Sequence, residues 1–123
     1  MRLLPLMLLV VCCSVSAEWQ YWTGSDDGRK FYVDSQSLEK NGDTRKFWVL
    51  ENYPAADEGV LSTITLFEIE CIKKRKRSLQ QYWYTEHFGG GDSITPKLKF
   101  PGDWRFAAPG TVLAEMIRLS CKK

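Results

Sequence analysis

The sequence is poor in the residues from which catalytic centres are built. It has one histidine, His87, and four cysteines in 123 residues. Neither H-x-x-x-H nor C-x-x-C spacing occurs, so a zinc site would have to lean on carboxylates. No serine stands in a G-x-S-x-G elbow, and the glycine run Gly89-Gly90-Gly91 is followed by no G-K-[ST], which removes the phosphate-loop reading. A large excess of basic charge is also missing. The 17 Lys and Arg residues against 15 Asp and Glu give a formal charge of +2, unlike a dedicated nucleic-acid binder. There is no internal repeat and no low-complexity segment. These absences predict no metal, no cofactor, no nucleic-acid partner and no enzymatic activity.

The one long apolar run is N-terminal. Arg2 precedes Leu3 to Cys13, and Val15-Ser16-Ala17 places small or permitted residues before Glu18. This pattern predicts a secretory signal peptide, residues 1–17, cleaved after Ala17, and one domain over residues 18–123. The run is shorter than the roughly 20 residues a bilayer span needs, and no second run follows, so no transmembrane segment is expected in the mature chain. Acylation at Cys12 or Cys13 is the rival reading. It is disfavoured because Val11 or Cys12 stands where a small residue is wanted. Cys71 and Cys121 then remain in an oxidising compartment, where one internal pairing is available to them. The alternatives are two free thiols or an intermolecular bond. An internal bond would close a loop of about 50 residues and stabilise the fold by roughly 4 kcal/mol on the chain-entropy model.

Along the chain, aromatic and β-branched segments alternate with turn residues. Trp19–Trp22, Arg29–Asp34 and Thr44–Tyr53 read as strands. Ser35–Lys40 reads as a helical turn or loop before an Asn41-Gly42 turn, and Pro54–Gly59 as a mobile acidic loop. Val60–Ile72 reads as the longest strand, with Leu61, Thr63, Thr65, Phe67, Ile69 and Cys71 on its core face. Lys73–Arg77 is expected to turn and Ser78–Phe88 to return, in a phase the pattern leaves open. Gly89–Asp92 reads as a flexible loop, Ile94–Phe100 as a weak strand. Thr111 then caps a helix whose stripe of Leu113, Met116, Ile117 and Ser120/Cys121 faces inward, with Lys122 and Lys123 at its negative end. The fold class is α+β: an antiparallel sheet of about five or six strands, with a C-terminal helix packed on one face and disulfide-linked to it.

Two features point outward. Lys73, Lys74, Arg75, Lys76 and Arg77 form an unbroken basic run. It is read either as a solvated hairpin tip balanced by Glu68 and Glu70, or as a contact for an acidic protein segment, a heparin-like glycan or a lipid headgroup. Trp19, Tyr21, Trp22, Trp48, Tyr82, Trp83, Tyr84 and Trp104 are more rings than one small core hides, which suggests a protein-binding or dimer face. The contact residues inferred are the five basic side chains with Tyr82 and Tyr84.

The ordered set Phe31-Tyr32-Val33-Asp34, Ser37-Leu38, Phe47-Trp48-Val49, Glu70-Cys71, Arg75, Arg77-Ser78-Leu79, Tyr82, Trp104, Pro109-Gly110-Thr111 and Cys121 resembles the surface-adhesin protein E-like family of exported bacterial proteins. The resemblance spans nearly all of residues 18–123. It implies an antiparallel sheet with a disulfide-tied C-terminal helix. It also implies a non-enzymatic periplasmic or surface-exposed protein, able to bind host extracellular-matrix proteins and to form a homodimer. The alternative function is a periplasmic envelope accessory protein or enzyme inhibitor that inserts a loop such as Gly89–Asp92 into its partner and never contacts a host.

Overall fold

A computed structural model describes Pro5 and residues 18–122. The expected signal peptide and lipidation cysteines, Pro5 apart, lie outside the described residues, as does Lys123. No helix among the described residues is long and apolar enough to cross a membrane.

The chain folds as an antiparallel sheet of eight strands with one α-helix near its C-terminus. The strands are β1 (Trp19–Gly24), β2 (Lys30–Asp34), β3 (Glu39–Asn41), β4 (Thr44–Asp57), β5 (Val60–Glu70), β6 (Arg75–Tyr84), β7 (Ser93–Ile94) and β8 (Arg105–Phe106). Six of them run side by side in the order β1-β2-β4-β5-β6-β7, while β3 adds to β4 and β8 to β6. The helix α1 spans Val112–Ser120.

The central hairpin β4–β5 is longer than composition indicates. Pro54–Gly59 is not a loop. β4 continues to Asp57, and Asp57 pairs with Val60 across Glu58 and Gly59, both at positive φ (48° and 83°). That is the turn whose twist matches antiparallel strands. β4, with 14 residues, is therefore the longest strand, and β5 ends at Glu70 rather than at Ile72. Its inward set is as expected from Thr63 onward: Thr63, Thr65, Phe67 and Ile69 are buried.

One face of the sheet is covered by α1. Thr111 accepts a hydrogen bond from the Ala114 N–H at 3.2 Å and starts the helix. Met116 and Ile117 pack onto Phe31, Phe47, Val49, Phe67 and Ile69 to form the core. Burial of an apolar side chain of this size stabilises by about 1.5–3 kcal/mol. The helix end is held twice. Cys71, just past β5, is disulfide-bonded to Cys121. The buried Arg45 of β4 donates from Nε to the Ser120 carbonyl at 3.1 Å and from Nη1 to the Gly42 and Thr44 carbonyls, placing a cation at the negative end of the helix dipole.

Three further expectations change. The turn after β5 occupies Cys71–Lys74 only, with Lys74 at φ 50°; Arg75, Lys76 and Arg77 are already strand, because Glu70, Ile69 and Glu68 pair with them in turn. Gly89–Asp92 is a packed connection rather than a free loop. Thr85 N–H donates to the Asp92 carbonyl, Glu86 N–H to that of Gly90, and Asp92 N–H to Thr85 Oγ1. A Cβ on Gly89 would stand 2.9 Å from Ile64 Cδ1, so glycine is what lets the backbone lie this close to the sheet. The weak strand at Ile94–Phe100 shrinks to Ser93–Ile94.

Candidate functional site

The basic run and the returning aromatics share β6, and a bulge decides which of them share a face. Glu70, Ile69, Glu68 and Phe67 pair with Arg75, Lys76, Arg77 and Ser78, but Leu66 pairs with Gln80, which leaves Leu79 as an extra residue. An inserted residue reverses the alternation. Odd-numbered Arg75 and Arg77 therefore point to the same side as even-numbered Gln80, Tyr82 and Tyr84. That side is the one without the helix, since Glu68, Leu66 and Ile64 of β5 lie on it. Lys76 points to the helix side.

The helix-free face carries a row of rings. Tyr82 stacks on Trp48 with centroids 6.1 Å apart, Tyr21 meets Tyr32 edge-on at 5.6 Å, and Tyr32 meets Phe88 at 5.0 Å. Phe88 belongs to a single 3-10 turn, His87–Gly89, that crosses one end of this face. It is tied down by Phe88 N–H to Asn52 Oδ1 at 2.9 Å and Gly89 N–H to Ser62 Oγ at 3.0 Å. Beneath the rings, Leu50 is fully buried. The rings themselves stay accessible, Tyr21 at 61 %, Phe88 at 53 % and Tyr82 at 46 %.

At the other end of the face the guanidiniums are held in place. Arg75 Nη2 lies 2.8 Å from Glu70, and Arg77 Nη2 lies 2.7 Å from Glu68, which also meets Lys46 at 3.7 Å. The Arg75 hydrogen bond holds the Glu70 carboxyl below the usual range. Trp104 spans both arginines, its ring 4.2 Å from Arg75 Cζ and 4.4 Å from Arg77 Cζ, a cation–π arrangement. Glu68 and Glu70 thus serve as partners across the hairpin. Lys73 and Lys74 occupy the turn at the end of the strand. Lys73 is exposed and 3.7 Å from Glu70, and Lys74 is exposed.

Of the residues singled out by sequence, the fold gathers Arg75, Arg77, Tyr82 and Tyr84 on one face, sets Lys73 and Lys74 at its edge, and sends Lys76 away. The aromatic excess divides likewise. Trp22 packs against Phe47 at 5.3 Å, and Trp83 donates to Gln81 at 2.8 Å, while Trp48 and Trp104 join the open face. Tyr32 and Phe88 belong to that face and were not among the sequence candidates; period-2 alternation of Tyr32 against Phe31 and Val33 was the available signal for the first. His87 Nε2 sits 2.7 Å from the Tyr53 carbonyl, and no cluster of three metal-ligating side chains occurs among the described residues.

A model of the family described as surface-adhesin protein E matches residues 19–122. Solved structures of Haemophilus influenzae protein E share the fold. One aligns with a TM-score of 0.64 at 18% identity, covering 87% of this chain and 86% of that one. A second crystal form gives 0.60 at 20% identity over 74% and 79% of the two chains. Protein E from a non-typeable strain gives 0.59 at 16% identity over 87% and 77%. No curated protein sequence matches the chain.

Proposed function

The chain belongs to the surface-adhesin protein E family, and from that membership we propose that it is an exported, non-enzymatic binding protein. Its place is the cell surface or periplasm, and its partner is another protein, with host extracellular-matrix proteins as the class to test first. The observation that carries this reading is the helix-free face: a row of accessible Tyr, Trp and Phe rings on a rigid sheet, ending in arginines clamped on Trp104. Aromatic and arginine side chains are the ones that dominate protein interfaces. They lose little conformational freedom here because the sheet already orders them. Tyr82 and Tyr84 supply apolar contact, while Arg75 and Arg77 supply oriented N–H donors. Lys73 and Lys74 supply longer-range attraction, which salt screens over roughly 8 Å at physiological ionic strength.

The inhibitor reading needs a loop that can be inserted. Gly89–Asp92 is held to Thr85 and Glu86 by backbone bonds, which favours the face over the loop. The first strand, β1, ends the order of the sheet; a second copy pairing along it would extend the sheet into a homodimer, a state that sedimentation measures.

The test is binding of the full chain, purified as exported, to immobilised basement-membrane matrix. Tyr82→Ala is expected to weaken capture by roughly tenfold or more, as a contact worth at least about 1.4 kcal/mol would. Lys73→Ala with Lys74→Ala is expected to slow association and flatten the salt dependence. Capture that ignores Tyr82→Ala and is flat across a salt series would sink the assignment of this face.

A further inference from the structure

The basic run leaves one member on the opposite face. Lys76 rises from β6 into a cleft of about 570 Å³, bounded by the helix side of the sheet and the segment 98–105. Glu51, Phe67, Ser78 and Gln81 form the floor, and Leu98, Lys99, Phe100, Asp103 and Arg105 belong to the covering segment, so cations outnumber the carboxylates Glu51 and Asp103 in the lining. That segment is fastened along the strand. Gly102 N–H donates to the Ser78 carbonyl at 2.8 Å, and Ala107 N–H donates to the Lys74 carbonyl at 3.0 Å.

Lys76 is a recessed cation without an ion-pair partner. Its Nζ lies 4.1 Å from the Phe67 ring centroid, and among the described residues it forms no ion pair. Glu68 and Glu70 are taken by Arg77, Lys46, Arg75 and Lys73, and Glu51 is held by Arg29 at 2.9 Å. Arg105 stands on the neighbouring strand, opposite Lys76. Burial, with Arg105 and Arg29 nearby and only partly opposed by Glu51, lowers the Lys76 pKa from 10.5 to about 8. A recessed ammonium with no carboxylate at ion-pair distance is costly to keep, and a methionine would fill the same space over Phe67 without that cost.

We propose that this cleft receives an acidic peptide segment, its carboxylate on Lys76 between Arg105 and Lys99, and an adjoining apolar side chain against Leu98 and Phe100. Leu98 is half exposed, an apolar wall waiting beside a cation. A sulfated sugar would prefer an open row of cations; one recessed amine between apolar walls suits one carboxylate with a hydrocarbon neighbour. This site lies on the other side of the sheet from the aromatic row and does not depend on it.

The test is an NMR titration of the full ¹⁵N-labelled chain with Ac-Leu-Glu-Leu-NH2 and, separately, Ac-Leu-Gln-Leu-NH2. The glutamate peptide is expected to shift the amides of Lys76, Ser78 and Gly102 and to bind roughly tenfold tighter than its glutamine counterpart, the effect of one charge-assisted hydrogen bond. Lys76→Met, which keeps the stem over Phe67, is expected to abolish that preference. Lys99→Gln with Arg105→Gln, changes at the rim, should weaken the glutamate peptide several-fold and keep the proposal testable if the Lys76 variant fails to fold. Equal affinity for the two peptides, an unchanged preference in Lys76→Met, shifts centred on Trp48 and Tyr82, or tighter binding of a heparin-derived disaccharide would each overturn it.

Discussion

The two faces of the sheet treat cations of one basic run in opposite ways. On the helix-free side, Arg75 and Arg77 each have a carboxylate within 2.8 Å and share the Trp104 ring. On the helix side, their neighbour Lys76 has an aromatic ring and no carboxylate at ion-pair distance among the described residues. The difference is one of strand geometry, because alternation places adjacent residues on opposite surfaces. It shows that a run of like charge in a sequence is not a patch until the backbone has been drawn through it. The surface left for a partner is accordingly mixed, with rings in the middle and paired guanidiniums at one end. Of the run, Lys73 and Lys74 at the turn are the exposed members.

That contrast can be broken from several directions. The strongest intervention is on the tether that keeps one face covered. Replacing Cys71 and Cys121 by alanine opens a crosslink spanning 50 residues of sequence and is expected to cost about 4 kcal/mol in urea denaturation. Aromatic-face binding should survive in whatever fraction stays folded. Loss of binding in fully folded protein would mean that the faces are coupled.

The next effect has the opposite sign. Because the Lys76 pKa is lowered to about 8 in the folded chain, the unfolded chain binds more protons between pH 8 and about 10.5. The Lys76 contribution to stability is then lowest below pH 8 and rises through that window, by roughly 3 kcal/mol if the whole shift is expressed. Lys76→Met should raise stability at pH 7 by about 2 kcal/mol and remove that rise. A destabilised Lys76→Met would mean that the amine has a partner after all.

A smaller change sharpens the other side. Glu68→Gln leaves Arg77 and Lys46 without their shared carboxylate and is expected to cost about 1–2 kcal/mol, measured by thermal unfolding. The smallest stability effect is that of Tyr82→Ala. The Trp48 stack is worth about 1 kcal/mol, so this variant should melt close to the parent while losing capture on matrix.

The parts that were legible in the sequence are those with a regular period. Thr111 followed by an apolar stripe at 3–4 spacing gives α1, and alternation from Thr63 to Ile69 gives the inward face of β5. Placing Cys121 on one and Cys71 beside the other made their bond readable from either end. What escaped depends on single residues that interrupt a period or on chain that folds back without one. Leu79 shifts β6 by one residue, so no pattern that ran straight through could place Arg77 and Tyr82 together. Glu58-Gly59 turns so tightly that an acidic, proline-containing segment becomes strand. The shelter over Lys76 comes from residues 98–105, which have no periodicity and gain their place from backbone bonds to β6 and from Trp104 packed on its arginines. The strands β3 and β8, of three and two residues, are too short to leave a pattern. Periodicity carried the architecture, the family resemblance implied the same one, and the sheet with its tethered helix is what the structure shows.

The most direct test of the division between the faces is a titration of Lys76 itself. With ¹³C-labelled lysine in the full chain and the resonance assigned through Lys76→Met, the side-chain shift should show a midpoint near 8. That value fits an ammonium recessed in a cleft, apart from Arg75 and Arg77. A midpoint at the ordinary 10.5 would place Lys76 in open solvent beside its neighbours, make the five cations one surface, and contradict the account.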